Sequence, residues 1–108
     1  MAKHVTESSG NVFADLGMAN AEEHMLKAGL VSKLAAVIRD LDLNQTTAAK
    51  VTGISQPDLS RLLRGRFRDM SADRIIRALI RLGSEVEIEV TQRGEPVGEA
   101  IHLHAVAA

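Results

Sequence analysis

The sequence predicts a mainly α domain of four to five helices that closes with a short C-terminal β-strand or hairpin. Three features carry that expectation. Between Ala21 and Leu82 the apolar residues recur every three or four positions, the period of one helix face. The stretch is punctuated by helix starters, Asn44, Ser55 and Ser71, and by helix stops, Gly53, Gly65 and Gly83. After Gly83 the period becomes two, with Val86, Ile88 and Val90 alternating with Glu85, Glu87 and Glu89. At 108 residues the chain is expected to form one domain. Phe13 and Phe67 are its aromatic residues, so the core must be built from aliphatic side chains.

Taken in order, residues 1–10 read as a polar, flexible tail. The segment NVFADLG at 11–17 carries Val12, Phe13 and Leu16 and is expected to pack on the domain without forming a long element. Asn20 reads as an N-cap, with Glu23 returning the hydrogen bond and Glu22 favoured by the helix dipole. The helix from Ala21 to Leu41 carries Leu26, Leu30, Leu34, Val37, Ile38 and Leu41 on its apolar face. Gly29 weakens it by about 1 kcal/mol relative to Ala and is expected to mark a close crossing. Asn44 caps a short helix from Gln45 to Val51, and a third helix runs from Ser55 to Arg64. Arg66–Met70 is a basic loop. Ser71 caps a fourth helix, Ala72–Leu82, with Asp73 in its first turn, Arg81 in its last, and Ile75, Ile76, Leu79 and Leu82 facing inward.

In the C-terminal part, Arg93-Gly94-Glu95-Pro96 reads as a four-residue loop between two half-buried strands. That loop sets Val86 opposite Leu103 and Ile88 opposite Ile101 on the inner side, with Glu87 facing His102 and Glu85 facing His104 outside. The expected organisation is therefore a tail at 1–10, a helical domain at 11–83 and a strand or hairpin at 84–108.

A net charge of −1 does not suggest a partner rich in phosphate, but the charge is unevenly distributed. Residues 43–82 hold eight Lys/Arg against three Asp/Glu, whereas 1–42 hold four against six and 83–108 one against five. A basic middle between acidic ends is an electrostatic footprint that the total conceals. Other classes are disfavoured. The absence of Cys excludes disulfides and thiolate metal sites and suits a reducing cytoplasm. No apolar run approaches bilayer length, so no membrane partner is expected. Without Trp or Tyr there is no aromatic platform for single-stranded bases.

The basic middle contains the stretch NQTTAAKVTGISQPDLSRLLRG, residues 44–65. It reads as two short helices joined by a tight turn, the pattern of a helix-turn-helix that lays its second helix in the major groove. Ala48, Ala49 and Gly53 are small enough for the two helices to cross. Leu59, Leu62 and Leu63 supply the buried face of the second helix, and Ile54 plugs the gap at the turn. The outward face presents Ser55, Gln56, Ser60, Arg61 and Arg64. Gln56 can bond an adenine through two hydrogen bonds, and Arg61 a guanine or a phosphate. Gln45, at the start of the preceding helix, is placed to bond a phosphate with the free backbone amides there. Arg66 and Arg68 beside the reading helix favour phosphate contact. Asp58 is read as the second half of a Ser55-x-x-Asp58 capping box, its carboxylate turned back to the Ser55 amide. Pro57 is harmless in a first turn.

These residues resemble the Cro/C1-type (XRE) helix-turn-helix family. The joint pattern of NVFADLG at 11–17, ISQPDLSRLLRG at 54–65 and VEIEV at 86–90 is similar to its antitoxin-like (HigA-like) subgroup in bacteria and phages. The resemblance spans roughly residues 11–90. It implies a cytoplasmic dimer that binds operator DNA, with DNA contacts at Gln45, Ser55, Gln56, Ser60, Arg61 and Arg64. Many such proteins look like antitoxins that neutralise a RelE/HigB-type toxin. Thr52 departs from the pattern, which more usually has a larger apolar residue there.

Several other residues admit plainer readings. Arg74, Arg77 and Arg81 share one helix face and are read as solvated. His102 and His104 could form a metal pair, but without further ligands cross-strand pairing with Glu87 and Glu85 is favoured. His4 and His24 join no constellation. No Ser/His/Asp arrangement, phosphate loop or carboxylate pair emerges, so neither enzymatic activity nor a cofactor is expected. The expected function is sequence-specific DNA-binding regulation, as an autorepressor acting as a homodimer on an inverted repeat. Val86, Ile88 and Val90 are the candidate dimer element, since a lone hairpin is marginal and its edge seeks pairing. Neutralisation of a toxin protein is the alternative and can coexist with DNA binding.

Overall fold

The computed structural model describes residues 19–106; the tail at 1–10 and the NVFADLG segment at 11–17 lie outside them. Four helices come first: α1 (Ala19–Asp40), α2 (Gln45–Thr52), α3 (Gln56–Leu63) and α4 (Ala72–Arg81). Four short strands follow, β1 (Val86–Ile88), β2 (Thr91–Gln92), β3 (Glu95–Pro96) and β4 (Ile101–Leu103). The fold class is thus the mainly helical one expected.

The starts of α2, α3 and α4 use one device. The side chains of Asn44, Ser55 and Ser71 accept hydrogen bonds from the amides of Thr47, Asp58 and Arg74, at 2.8, 3.3 and 3.2 Å. Asn20, read as the N-cap of the first helix, is placed differently along the chain. It lies inside α1, because Ala19, a residue with high helix propensity, continues the helix ahead of it. Glu23 pairs with Lys27 one turn on, at 3.5 Å.

The core forms where α1 packs on α4, with α2 and α3 crossing beside them. Leu34, Ala48, Leu59, Ile75 and Ala78 are wholly enclosed, and Val31, Ile38, Ile54 and Leu79 are buried around them. Two expectations for α1 change. Leu26 and Leu41 are exposed, because they fall outside the 28–38 stretch that faces the core, Leu41 lying in the turn that ends the helix. A Cβ at Gly29 would meet nothing within 4 Å, so no element crosses closely there.

The hairpin has the expected register by an unexpected route. Val86 pairs with Leu103, Glu87 with His102 and Ile88 with Ile101. The turn, however, is the two residues Arg93 and Gly94, both with positive φ (53° and 83°), and Gln92 pairs directly with Glu95. That is the primed turn that matches strand twist. The two residues thereby removed from the loop reappear farther back. Val97 donates to the Val90 carbonyl at 2.8 Å, after which residues 98–100 bulge opposite Glu89 alone. Outside, His102 Nδ1 lies 3.0 Å from Glu85 and 3.3 Å from Glu87. The expected Glu85–His104 pair is replaced, since Glu85 reaches diagonally to His102 and His104 Nδ1 lies 3.0 Å from the Ala105 carbonyl. Among the described residues no cluster of three His, Cys, Asp or Glu is arranged to hold a metal. No described helix is long and apolar enough to cross a membrane.

The inner face of the hairpin is less covered than a half-buried strand should be. Val86 packs against the core, whereas Ile88, Val90, Val97 and Ile101 are 40%, 53%, 55% and 53% exposed. Among the described residues the hairpin touches the helices at β1, next to α4, and the apolar residues beyond that contact are the exposed ones.

Candidate nucleic-acid interface

α2, the turn at 53–55 and α3 form the expected helix-turn-helix. Gly53 takes the left-handed conformation at φ 77° and donates its N–H to the Ala49 carbonyl, which ends α2. It also lies beside the Arg81 guanidinium of α4, the movable end of an exposed side chain, so it is the left-handed φ that favours glycine here. Ile54 is buried at the turn, and Leu59 and Leu62 fill the inner face of α3.

Thr52 shows how the turn tolerates its departure from the family pattern. Its side chain is buried, its hydroxyl donates to the Ala48 carbonyl at 2.8 Å, and its oxygen accepts from the buried Ile54 amide at 3.3 Å. The hydroxyl thus gives a partner to a turn amide that water cannot reach. Thr52→Val keeps the shape and removes that partner. It is expected to cost about 1–2 kcal/mol, or about 5–10 °C in Tm by thermal unfolding. An unchanged Tm would show that the hydroxyl contributes nothing.

On the outer side, Gln45, Ser55, Gln56, Arg61 and Arg64 are exposed and Ser60 is half-buried. Gln56, Ser60 and Arg64 follow at four-residue intervals and make one stripe along α3. Gln45 stands at the first position of α2, where Asn44 occupies the Thr47 amide and the amides of residues 45 and 46 have no intrahelical partner. Asp58 differs from its expected role. Its amide is capped by Ser55, but its carboxylate forms an ion pair with Arg61 one turn on, so the box is half made. The Arg61 guanidinium is near enough at i+3 to outcompete a backbone amide for the charge.

The loop after α3 adds Arg66 and Arg68. Both are exposed, and with Arg61 and Arg74 they line an open cleft of about 450 Å³ beside α3. Four guanidinium groups against the carboxylates of Asp58 and Asp69 leave the opening net basic beside the reading helix.

These features agree with what the chain is similar to. A family model described as a helix-turn-helix domain matches residues 12–91. A solved structure described as an XRE family transcriptional regulator shares 34% identity and superimposes with a TM-score of 0.66, covering 82% of this chain and 98% of its own. None of the curated proteins compared with the chain matches it. The chain belongs to the XRE-type helix-turn-helix family. That family is a class of DNA-binding transcriptional regulators.

In this XRE-type chain the three arginines of α4, read from the sequence as one solvated face, have three different settings. Arg74 lines the basic cleft, Arg77 pairs with Asp73 at 3.0 Å, and Arg81 lies over Gly53. Two residues of α1 were not singled out by sequence reasoning and shape the cleft. Lys27 is buried, and its Nζ donates to the Arg68 carbonyl at 3.1 Å while pairing with Glu23. His24 stacks on Phe67, with ring centroids 4.8 Å apart. Together they fasten the 66–70 loop, and so its arginines, to α1. A signal existed for Lys27: its spacing of four, seven and eleven from Val31, Leu34 and Ile38 puts it on the buried stripe. His24 had none, since its partner lies 43 residues away in the chain.

Proposed function

We propose that this protein is a sequence-specific DNA-binding regulator that acts as a homodimer and represses its own operon. The carrying observation is the exposed polar stripe of α3, Gln56, Ser60 and Arg64 with Arg61 beside it, on a helix whose opposite side is locked into the core. Such a helix fits the major groove, where Gln56 and Ser60 meet base edges. Arg64, Gln45, Arg66 and Arg68 contact phosphates and set register and affinity. The acidic hairpin, with five glutamates against Arg93, limits indiscriminate coating of DNA. The site of action is the cytoplasm, where bacterial DNA lies.

Footprinting on the DNA upstream of the protein's own gene tests this reading. Two protected half-sites with inverted symmetry are expected, spaced by about one helical turn, or 10 base pairs, or a multiple of it. Affinity should fall steeply with salt, as phosphate contacts require. Protection at no salt concentration would remove the reading.

The hairpin is the proposed dimer element. Ile88, Val90, Val97 and Ile101 form an apolar surface on a two-stranded hairpin, which a second copy would bury while pairing the free edge of β1. Truncation after Gly83 removes this surface and leaves the helical core residues in place. The truncated chain is expected to be a monomer by light scattering, and an unchanged dimer would refute the role. The exposed carboxylates Glu85, Glu87, Glu89, Glu95 and Glu99 favour a second, compatible reading, a toxin protein with a basic surface as partner. Co-purification with the product of an adjacent reading frame tests it.

A further inference from the structure

Asp58 lies on α3, the helix that the proposed function sets against DNA, and lines with Arg61 the cleft beside it, where a bare carboxylate is repelled by phosphates. It is not bare. Its carboxylate is paired with Arg61, and its amide is held by Ser55. Arg61 therefore differs from its neighbours. Among the described residues Arg64, Arg66, Arg68 and Arg74 have no carboxylate partner. The side chains of the pair are 35% and 56% exposed, a setting in which an ion pair adds little to stability. Its consequence lies in what Arg61 can reach.

We propose that Asp58 is a positioning residue that makes Arg61 a reader of bases rather than a clamp on phosphate. The proposal rests on the DNA-binding reading above. An untethered arginine beside DNA can turn to any phosphate within reach, a contact that carries no sequence information. Tethered at i+3, the guanidinium has one nitrogen committed to Asp58. Its remaining N–H donors still suffice for a pair of acceptors on a base edge, such as O6 and N7 of guanine. The carboxylate also cancels the charge of Arg61 and repels phosphates in any register that brings one close. Binding without a base contact is weakened more than binding with one, and the difference is specificity.

The test compares full-length wild type, D58N and D58E on the footprinted operator and on an unrelated duplex, across a range of salt. In D58N, Arg61 is released. Affinity for the unrelated duplex is expected to rise about fivefold near physiological salt, with the log–log salt slope steeper by about one. Discrimination at the base pair that Arg61 reads is expected to fall about tenfold. D58E keeps the charge within reach of Arg61 and is expected to follow wild type. A residue that merely caps α3 would lower Tm and weaken both duplexes together with no change in slope; that pattern, or a D58N protein identical to wild type, overturns the proposal. If wild type shows no salt-sensitive binding, the DNA-binding reading and this proposal fall together. Wild-type binding with an unaltered D58N slope removes this proposal alone.

Discussion

Replacing Gln56 and Arg61 together by Ala is expected to abolish operator retardation, with affinity falling at least about a hundredfold, while the fold is unaffected. Each of the two side chains can make a two-point contact with a base, and such a contact is worth about 1–3 kcal/mol of discrimination. Both are exposed, so truncation opens no cavity and Tm should barely move. The loss should be larger on the operator than on unrelated DNA, because Gln56 carries no charge and contributes nothing to the phosphate term. A complex with a protein partner through the hairpin should survive the double change. Gel retardation at matched salt, with circular dichroism as the check on folding, reads the result. Unchanged retardation would show that α3 does not face the bases.

The second large effect is on stability. Leu59→Ala is expected to destabilise the protein by about 2–5 kcal/mol, because Leu59 has no exposed surface and α1, α2 and α4 enclose the core it fills. Against a total of about 5–15 kcal/mol for a domain, that is a large fraction. A fall of about 10–25 °C in Tm should follow. DNA binding would weaken as well, since Leu59 sets the seat of the helix that carries Gln56 three residues before it. The partly buried Leu63 gives a graded comparison, and Leu63→Ala should cost clearly less. Equal costs at the two positions would mean that α3 is seated differently.

Much of this was legible before any coordinates, and particular residues show why. Asn44, Ser55 and Ser71 act on amides three residues away, a distance set by the chain itself, so their cap roles follow from local sequence. Gly53 was legible as a stop for the same reason, whereas its closeness to Arg81 was not. The hairpin register came out as expected although the loop length differed, because a two-residue turn and a two-residue bulge offset each other. The alternation of Val and Ile with Glu allowed no other face to point inward.

The pattern in the chain by itself determined the four helices, the helix-turn-helix at 44–65 and the polar stripe on α3. These depend on spacings of two to four residues, and hydrophobic period and cap chemistry act over that range. The tertiary structure decided everything that joins distant parts. It buried Lys27 against the Arg68 carbonyl, stacked His24 on Phe67 and sent Arg74, Arg77 and Arg81 to three different surroundings. It also left Ile88, Val90, Val97 and Ile101 of the hairpin exposed. A side chain's partner depends on which elements pack beside it, and sequence spacing cannot specify that for residues far apart. At Asp58, where a backbone amide and a guanidinium could both take the carboxylate, the charged partner holds it.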